Sequence, residues 1–147
     1  MNQRGLSILE VLVIITIVGI LAGFGVRAIR STQVSGQQNA FVNAFDLNVK
    51  SAAGYAATRR TSVLLTRADN RINFTTAAGE DINGDGGITI PPTLTANIPD
   101  GVSLIFGPNG TITARTLPNP VTISAEDRVW DINISTIGDT QIKERAP

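Results

Sequence analysis

The sequence predicts an α+β fold in which a long N-terminal helix packs against a C-terminal antiparallel β domain. Two patterns indicate this division. Residues 6–26 form the most apolar run of the chain, and from there to residue 60 apolar residues recur at helical spacing, with no proline before Pro91. From residue 61 onward the apolar period becomes two, and turn residues recur roughly every 8 to 12 positions.

The composition narrows the classes of function. A chain of 147 residues is long enough for one ordinary domain with an appended helix. The 12 Lys and Arg balance the 12 Asp and Glu, so no overall charge attracts nucleic acid or acidic membranes. The chain has no Cys and no His, which excludes disulfides, thiol nucleophiles, imidazole catalysis and imidazole metal ligands. We therefore expect a protein that is not an enzyme.

The apolar run at residues 6–26 is predicted to form a helix able to span a bilayer, because a helix of that length rises roughly 30 Å. Glu10 is the only charged residue in this run. A secretory signal peptide and an ordinary single-span anchor are the alternative interpretations of such a segment. Neither explains a carboxylate there, since a charge in the hydrocarbon costs on the order of 3 kcal/mol. An acid in this position indicates a partner.

The residues around Glu10 carry a specific resemblance. The stretch RGLSILE at residues 4–10 is similar to the processing site of type IV prepilins and type II secretion pseudopilins. The resemblance implies that a prepilin peptidase cuts between Gly5 and Leu6 and methylates the new amino group of Leu6. It also implies that Glu10 neutralises the positive amino terminus of a neighbouring subunit during filament assembly. Leu6 stands where the family usually has Phe.

The same resemblance implies a domain organisation and a set of partners. Residues 1–5 would be the leader peptide, 6–26 the transmembrane and filament-core helix, 27–60 its amphipathic continuation, and 61–147 a periplasmic β-rich domain. The partners would be other pilins or pseudopilins, the prepilin peptidase and an inner-membrane assembly platform. The layout resembles the minor pseudopilin H and FimT group, which implies a subunit of a type II secretion pseudopilus. A FimT-like minor type IV pilin that acts in pilus assembly or DNA uptake is the alternative.

The second part of the predicted helix, residues 27–60, has one apolar face. Its apolar residues follow 3-4 spacing and should pack against the β domain. This stripe consists of Val42, Phe45, Val49, Ala52 and Ala56. Arg59 and Arg60 suit the C-terminal end of the helix, where the helix dipole favours positive charge.

The β domain is predicted to be one compact antiparallel sheet. The predicted strands are residues 62–66, 71–76, 87–90, 102–106, 111–115, 121–124, 128–135 and 140–144. The turn GPNG at residues 107–110 predicts a hairpin, because Asn-Gly tolerates the positive φ that tight hairpins need. A closing hairpin is expected around Gly138.

Residues 128–135 show the clearest strand pattern, with apolar and polar side chains alternating from Trp130 onward. Trp130, Ile132 and Ile134 should face the helix, while Asp131 and Asn133 should face water.

Residues 81–88, with the sequence DINGDGGI, resemble the front of a calcium loop. Asp81, Asn83 and Asp85 occupy the first three oxygen-ligand positions, and Gly86 occupies the glycine position. Pro92 stands where the bidentate acid that completes such a site would be. An ordinary polar turn is the favoured interpretation, because Asn-Gly and Asp-Gly are sufficient to explain it. Calcium is the only cofactor that the sequence indicates at all.

Binding of nucleic acid is disfavoured. Some FimT-like pilins that capture DNA have a Gly-Arg-x-Arg pattern after the last hairpin glycine. Here Gly138 is followed by Asp139, and Lys143 and Arg145 flank Glu144. A phosphate-binding surface needs clustered positive charge without interleaved acids. Lys143 and Arg145 are thus the candidate DNA contacts of the alternative function only.

Overall fold

The computed structural model describes the backbone of residues 8–84 and 86–147, and the side chains of the same residues except 22–31. In this part of the chain one α-helix is followed by nine β-strands. The chain divides into two compact units, Met1–Gly36 and Gln37–Pro147.

Helix α1 spans Ile8–Arg59 and confirms that one continuous helix precedes the β domain. In the first unit every described side chain from residue 8 to residue 21 is exposed, including Ile8 at 87%. The predicted membrane-spanning run, residues 6–26, lies partly outside the described residues. Among the residues that the structure describes, no helix offers a stretch both long enough and apolar enough to cross a membrane.

In the second unit α1 buries one face. The predicted apolar stripe is confirmed, because none of its side chains is more than 3% exposed. The buried stripe consists of Val42, Phe45, Val49, Ala52 and Ala56. On the opposite face Leu47 is 64% exposed. The helix stops after Arg59, because Arg60 adopts a φ of 51°, in the left-handed region that ends many helices.

The strands are short and follow the predicted positions closely. They are β1 Val63–Ala68, β2 Arg71–Thr76, β3 Ile88–Thr89, β4 Thr95–Ala96, β5 Gly101–Phe106, β6 Ile112–Arg115, β7 Val121–Ser124, β8 Val129–Ile134 and β9 Thr140–Arg145.

The strands form two antiparallel sheets, where the sequence predicted one. The first has five strands in the order β3-β2-β1-β5-β6, and the second has four in the order β4-β7-β8-β9. The prediction of a single sheet is wrong because alternation locates strands without showing which of them pair. β4, a strand of two residues, is missing from the predicted set.

The second part of α1 and both sheets share one hydrophobic core. The helix contributes Phe45, the first sheet Phe74 and Phe106, and all three side chains are fully buried. The alternation predicted for residues 128–135 is confirmed on β8. Trp130, Ile132 and Ile134 are at most 3% exposed, whereas Asp131 is half-buried and Asn133 exposed.

Both predicted hairpins are present, one between β5 and β6 and one between β8 and β9. Gly110 and Gly138 occupy their turns with φ of 78° and 77°, conformations that glycine adopts without strain. A Cβ built on Gly110 would lie 2.8 Å from the Ala53 carbonyl oxygen, and one on Gly138 would lie 2.6 Å from the Ala53 Cβ. Both turns therefore pack against the same point of α1, and both need a glycine to do so.

Candidate functional site

The N-terminal end of α1 presents one acid on an apolar surface. Glu10 lies in the first helical turn, is exposed, and has exposed Ile8 and Leu9 beside it. The hydroxyl of Thr16 donates a hydrogen bond to the Leu12 carbonyl oxygen at 2.8 Å, so this polar side chain is already satisfied by the helix backbone. Glu10 is also the one charged residue between residues 6 and 26. Gly5 and Leu6, the predicted cleavage and methylation residues, lie outside the described residues.

The predicted calcium loop is held by its own hydrogen bonds. The carboxylate of Asp81 accepts the backbone N–H of Asn83 on Oδ1 at 3.0 Å and that of Gly86 on Oδ2 at 2.6 Å. The side-chain amide of Asn83 donates to Oδ1 of Asn48 on α1. Asp85 lies outside the described residues. Across the described part of the chain, no three acidic, Cys or His side chains converge to form a metal site.

Arg71 is the residue near this loop that sequence reasoning missed. Its Nη2 donates to the Gly86 carbonyl oxygen at 2.5 Å, although the two residues are 15 positions apart. No signal in the sequence indicates this contact, because it depends on the pairing of β2 with β3 in the folded domain. That pairing places Arg71 opposite Thr89, close to the end of the loop.

Lys143 and Arg145 lie on one face of β9, since they are two residues apart on a strand. Arg145 Nε lies 2.8 Å from Asp131 Oδ2, and Lys143 stands opposite Asp131 in the pairing of β8 with β9. Glu144 lies between them in sequence and is 3.9 Å from the guanidinium of Arg128. The positive charges of this strand are therefore accompanied by acids. Their role as DNA contacts stays a prediction.

Asp131 is the group on this sheet whose titration is clearly perturbed. The hydrogen bond from Arg145 holds its pKa below the usual value, and burial opposes this shift. The Thr122 hydroxyl, which donates to Asp131 Oδ1 at 3.0 Å, and the charges of Arg145 and Lys143 lower the pKa further. Arg145 therefore binds its own sheet.

Comparison with known families decides the nature of the N-terminal segment. Residues 1–26 match the family model of the prokaryotic N-terminal methylation motif. The chain carries a methylation motif. This motif implies a type IV pilin-like protein that a prepilin peptidase processes. The matched segment includes Gly5, Leu6 and Glu10, the three residues predicted for cleavage, methylation and assembly.

The methylation motif ends at residue 26, and the match does not extend into the β domain. No curated protein and no solved structure matches the chain. The motif is therefore the part of the chain on which a functional assignment rests.

Proposed function

We propose that the protein is a structural filament subunit, a minor pseudopilin of a type II secretion pseudopilus that is made as a prepilin. The methylation motif at residues 1–26 is the observation that carries this proposal. In this account the peptidase hydrolyses the bond between Gly5 and Leu6 and then methylates the new Leu6 amine. The proposal gives the chain no catalytic role of its own.

The exposed apolar surface of α1 supports a role in assembly. A surface of this kind, running from residue 8 to residue 21, needs cover from lipid or from other apolar helices. We propose that residues 6–26 anchor the prepilin in the inner membrane, with residues 1–5 cytoplasmic and the β domain periplasmic. An inner-membrane assembly platform then moves the subunit into the filament, where the same residues pack against those of other pilins or pseudopilins.

Glu10 supplies the specificity of this packing. A carboxylate buried among apolar helices is strongly unfavourable unless an opposite charge accompanies it. The amino terminus of a neighbouring subunit, freed at Leu6, provides that charge. Only one axial offset between two helices brings the amine and the carboxylate together. The pair therefore sets the offset in the way that a single buried polar contact sets the register of a coiled coil.

A minor type IV pilin is the second candidate function, because the methylation motif serves that class of filament as well. Uptake of DNA by such a pilin would depend on the cations of β9. The 2.8 Å contact of Arg145 with Asp131 lowers the support for this role, since it pairs one of the two cations with an acid of the same sheet.

Intact-mass analysis of the protein extracted from its native membrane tests the proposal. The expected mass corresponds to a chain that begins at Leu6 and carries one methyl group. A Gly5→Leu variant should keep the five leader residues, because the proposed cut would no longer follow a glycine. A wild-type mass that begins at Met1, or one that begins near residue 22, would identify a plain anchor or a signal peptide and end the filament proposal.

The role of Glu10 is tested in the same native host. Glu10→Ala should be inserted and processed normally and yet be missing from sheared filaments. Thr16→Val is the matched control, because it also removes a polar side chain from the apolar run but leaves the charge in place. Normal recovery of Glu10→Ala in filaments would contradict the assembly role.

A further inference from the structure

We propose that the β domain contacts a second copy of this chain head to tail. The basic patch, Arg59 and Arg60 at the C-terminal end of α1, binds the acidic turn, Glu126 and Asp127 between β7 and β8, of the next copy. This inference rests on the proposed role as a filament subunit, and it names the surface through which one subunit meets the next.

The basic patch offers two open cations. Arg59 and Arg60 are exposed, and neither takes part in a salt bridge within the described part of the chain. The guanidinium of Arg59 lies 5.9 Å from the centroid of the Tyr55 ring, a contact that leaves its charge unneutralised. Arg60 borders an open groove of about 600 Å³. The other residues along this groove are Ala57, Pro108, Asn109 and Thr113. The patch therefore combines positive charge with room for a turn.

The acidic turn presents its carboxylates from a fixed backbone. The N–H of Ala125 donates to the Arg128 carbonyl oxygen at 2.8 Å, so Glu126 and Asp127 occupy the tip of a closed turn. Glu126 is exposed and makes no salt bridge among the described residues. Asp127 lies 3.5 Å from Arg128 Nε, yet its side chain is 66% exposed and can accept a second cation. A turn already ordered loses little conformational freedom on binding.

The cations near the acidic turn are accompanied by other acids. Arg128 also lies 3.9 Å from a carboxylate oxygen of Glu144. Arg145 Nε lies 2.8 Å from Asp131 Oδ2, and Lys143 stands opposite the same acid in the pairing of β8 with β9. These internal pairs leave the carboxylates at the tip of the turn as the open charges of this end of the sheet.

Contacts with α1 give the direction of β9. Gly138, in the turn before this strand, lies against Ala53 of the helix. Thr140, two residues later, donates its hydroxyl to Asp46, which lies seven helix positions nearer the N-terminus. The strand therefore runs away from the C-terminal end of α1.

This direction places the two patches at opposite ends of the β domain. The last residue of β9, Arg145, pairs with Val129, which directly follows the acidic turn. Five strand residues beyond Thr140 cover roughly 17 Å. In the other direction α1 rises roughly 20 Å between residue 46 and Arg59. The acidic turn therefore cannot reach the basic patch of its own copy.

Complementary charges at opposite ends favour a second copy as the partner. Each copy can use its basic patch toward one neighbour and its acidic turn toward another, which is a heterologous contact. Such a contact is not satisfied in a dimer and continues into a ring or a filament. It also lets successive copies keep one orientation, as subunits anchored in the same membrane require.

Paired cysteines test the contact directly, because the chain contains no cysteine of its own. The variant Arg60→Cys/Glu126→Cys carries one thiol at each patch, while Arg59 and Asp127 remain to hold the contact. Filaments from the native host are treated with a short bismaleimide crosslinker. We expect a ladder of dimers, trimers and larger species on a denaturing gel.

Two controls show whether a ladder is specific. Arg60→Cys or Glu126→Cys alone should give dimers at most, because one thiol per chain cannot continue a ladder. Asn133→Cys/Glu126→Cys should also give no ladder, since Asn133 is exposed but lies in the middle of β8. No ladder in the test pair, or an equal ladder in this control pair, would overturn the inference.

Charge reversal tests whether the opposite charges hold the contact. Arg59→Glu/Arg60→Glu should lower recovery in sheared filaments roughly tenfold, because like charges then face each other across the contact. Glu126→Lys/Asp127→Lys should do the same. The chain that carries all four changes should assemble at nearly the wild-type level, since complementarity is restored. Failure of the combined variant to recover would show that the two patches do not meet.

Wild-type filaments from the same cells separate this inference from the filament proposal. If the wild-type chain forms no filaments, or its mass begins at Met1, the filament proposal fails and the contact fails with it. If wild-type filaments form but the paired cysteines give no ladder and the reversed charges assemble normally, the contact alone is wrong.

Discussion

Gly138 lies directly against Ala53: a Cβ on this glycine would come within 2.6 Å of the Ala53 Cβ and 3.1 Å of Phe106 Cε1. From the other hairpin, Gly110 approaches the same alanine from the side of its carbonyl oxygen. Contacts this close between an alanine and a glycine leave no room for a methyl group. Both hairpins therefore pack on the helix at the same small residue, Ala53.

Gly138→Ala should destabilise the β domain by about 2 to 4 kcal/mol, because the new methyl overpacks the core and the backbone is held at positive φ. Denaturant unfolding of the full chain in detergent measures the loss. Gly79→Ala is the matched control, since Gly79 has φ of 84° but nothing within 4 Å of a built Cβ. It should lose only the backbone part, about 1 to 2 kcal/mol. Equal losses in the two variants would contradict the packing account.

Truncation should be costly on the buried face of α1 and nearly neutral on its exposed face. Phe45 is fully buried, so Phe45→Ala is expected to cost about 3 to 5 kcal/mol through lost burial and the cavity left behind. Leu47 is 64% exposed, and Leu47→Ala should change the free energy of unfolding by less than about 0.5 kcal/mol. The comparison uses the same unfolding assay. A large loss in Leu47→Ala would mean that the outer face of α1 is covered within the chain.

Asp131 predicts a specific pH dependence. The pKa of Asp131 is lowered in the folded protein, chiefly by the hydrogen bond from Arg145. The ionised carboxylate therefore stabilises the fold at pH values above its usual pKa of 3.8. This stabilisation is lost as the pH falls through the lower pKa of the folded state. Arg145→Met should therefore lower the thermal midpoint at neutral pH, and its difference from wild type should shrink once the pH falls below about 4. Lys143→Met, a neighbouring change in charge without that hydrogen bond, should show a smaller difference. A difference that persists undiminished in acid would refute the assignment to Asp131.

Thr140 joins the last strand to the helix. Its hydroxyl donates to Oδ1 of Asp46, a carboxylate that also lies 3.0 Å from Lys50 Nζ and is only 17% exposed. Thr140→Val keeps the shape but removes the donor, and should cost about 1.5 to 3 kcal/mol because the acceptor is charged. Thr140→Ser retains the hydroxyl and should recover most of this loss in the same unfolding assay. No difference between Val and Ser would show that the hydrogen bond contributes nothing.

Local patterns predicted the elements of this fold well, because they depend on nearby residues. The buried stripe around Phe45 and the alternation around Trp130 are both present, as are the hairpins at Gly110 and Gly138. The division into two sheets and the contact of Arg71 with Gly86 escaped prediction. Both depend on which distant segments meet, and the period of a strand does not encode its partner.

The candidate site shows the same contrast. The stretch around Glu10 was recognisable because its function depends on a few adjacent residues, and the family match at residues 1–26 confirms the methylation motif. The loop at Asp81 was ambiguous, since the sequence could show its side-chain oxygen atoms but not the backbone N–H groups of Asn83 and Gly86 that Asp81 accepts.

The bond between Thr140 and Asp46 spans 94 positions of the chain. Contacts of such long sequence separation slow folding, because the loop between the partners must close before the contact contributes any stability. The ribosome synthesises residue 46 long before residue 140. The apolar stripe of α1 therefore stays exposed until the strands that cover it have been made. The contact between Thr140 and Asp46 can form only after β9 has been synthesised, and until then this part of α1 lacks its partner in the last strand.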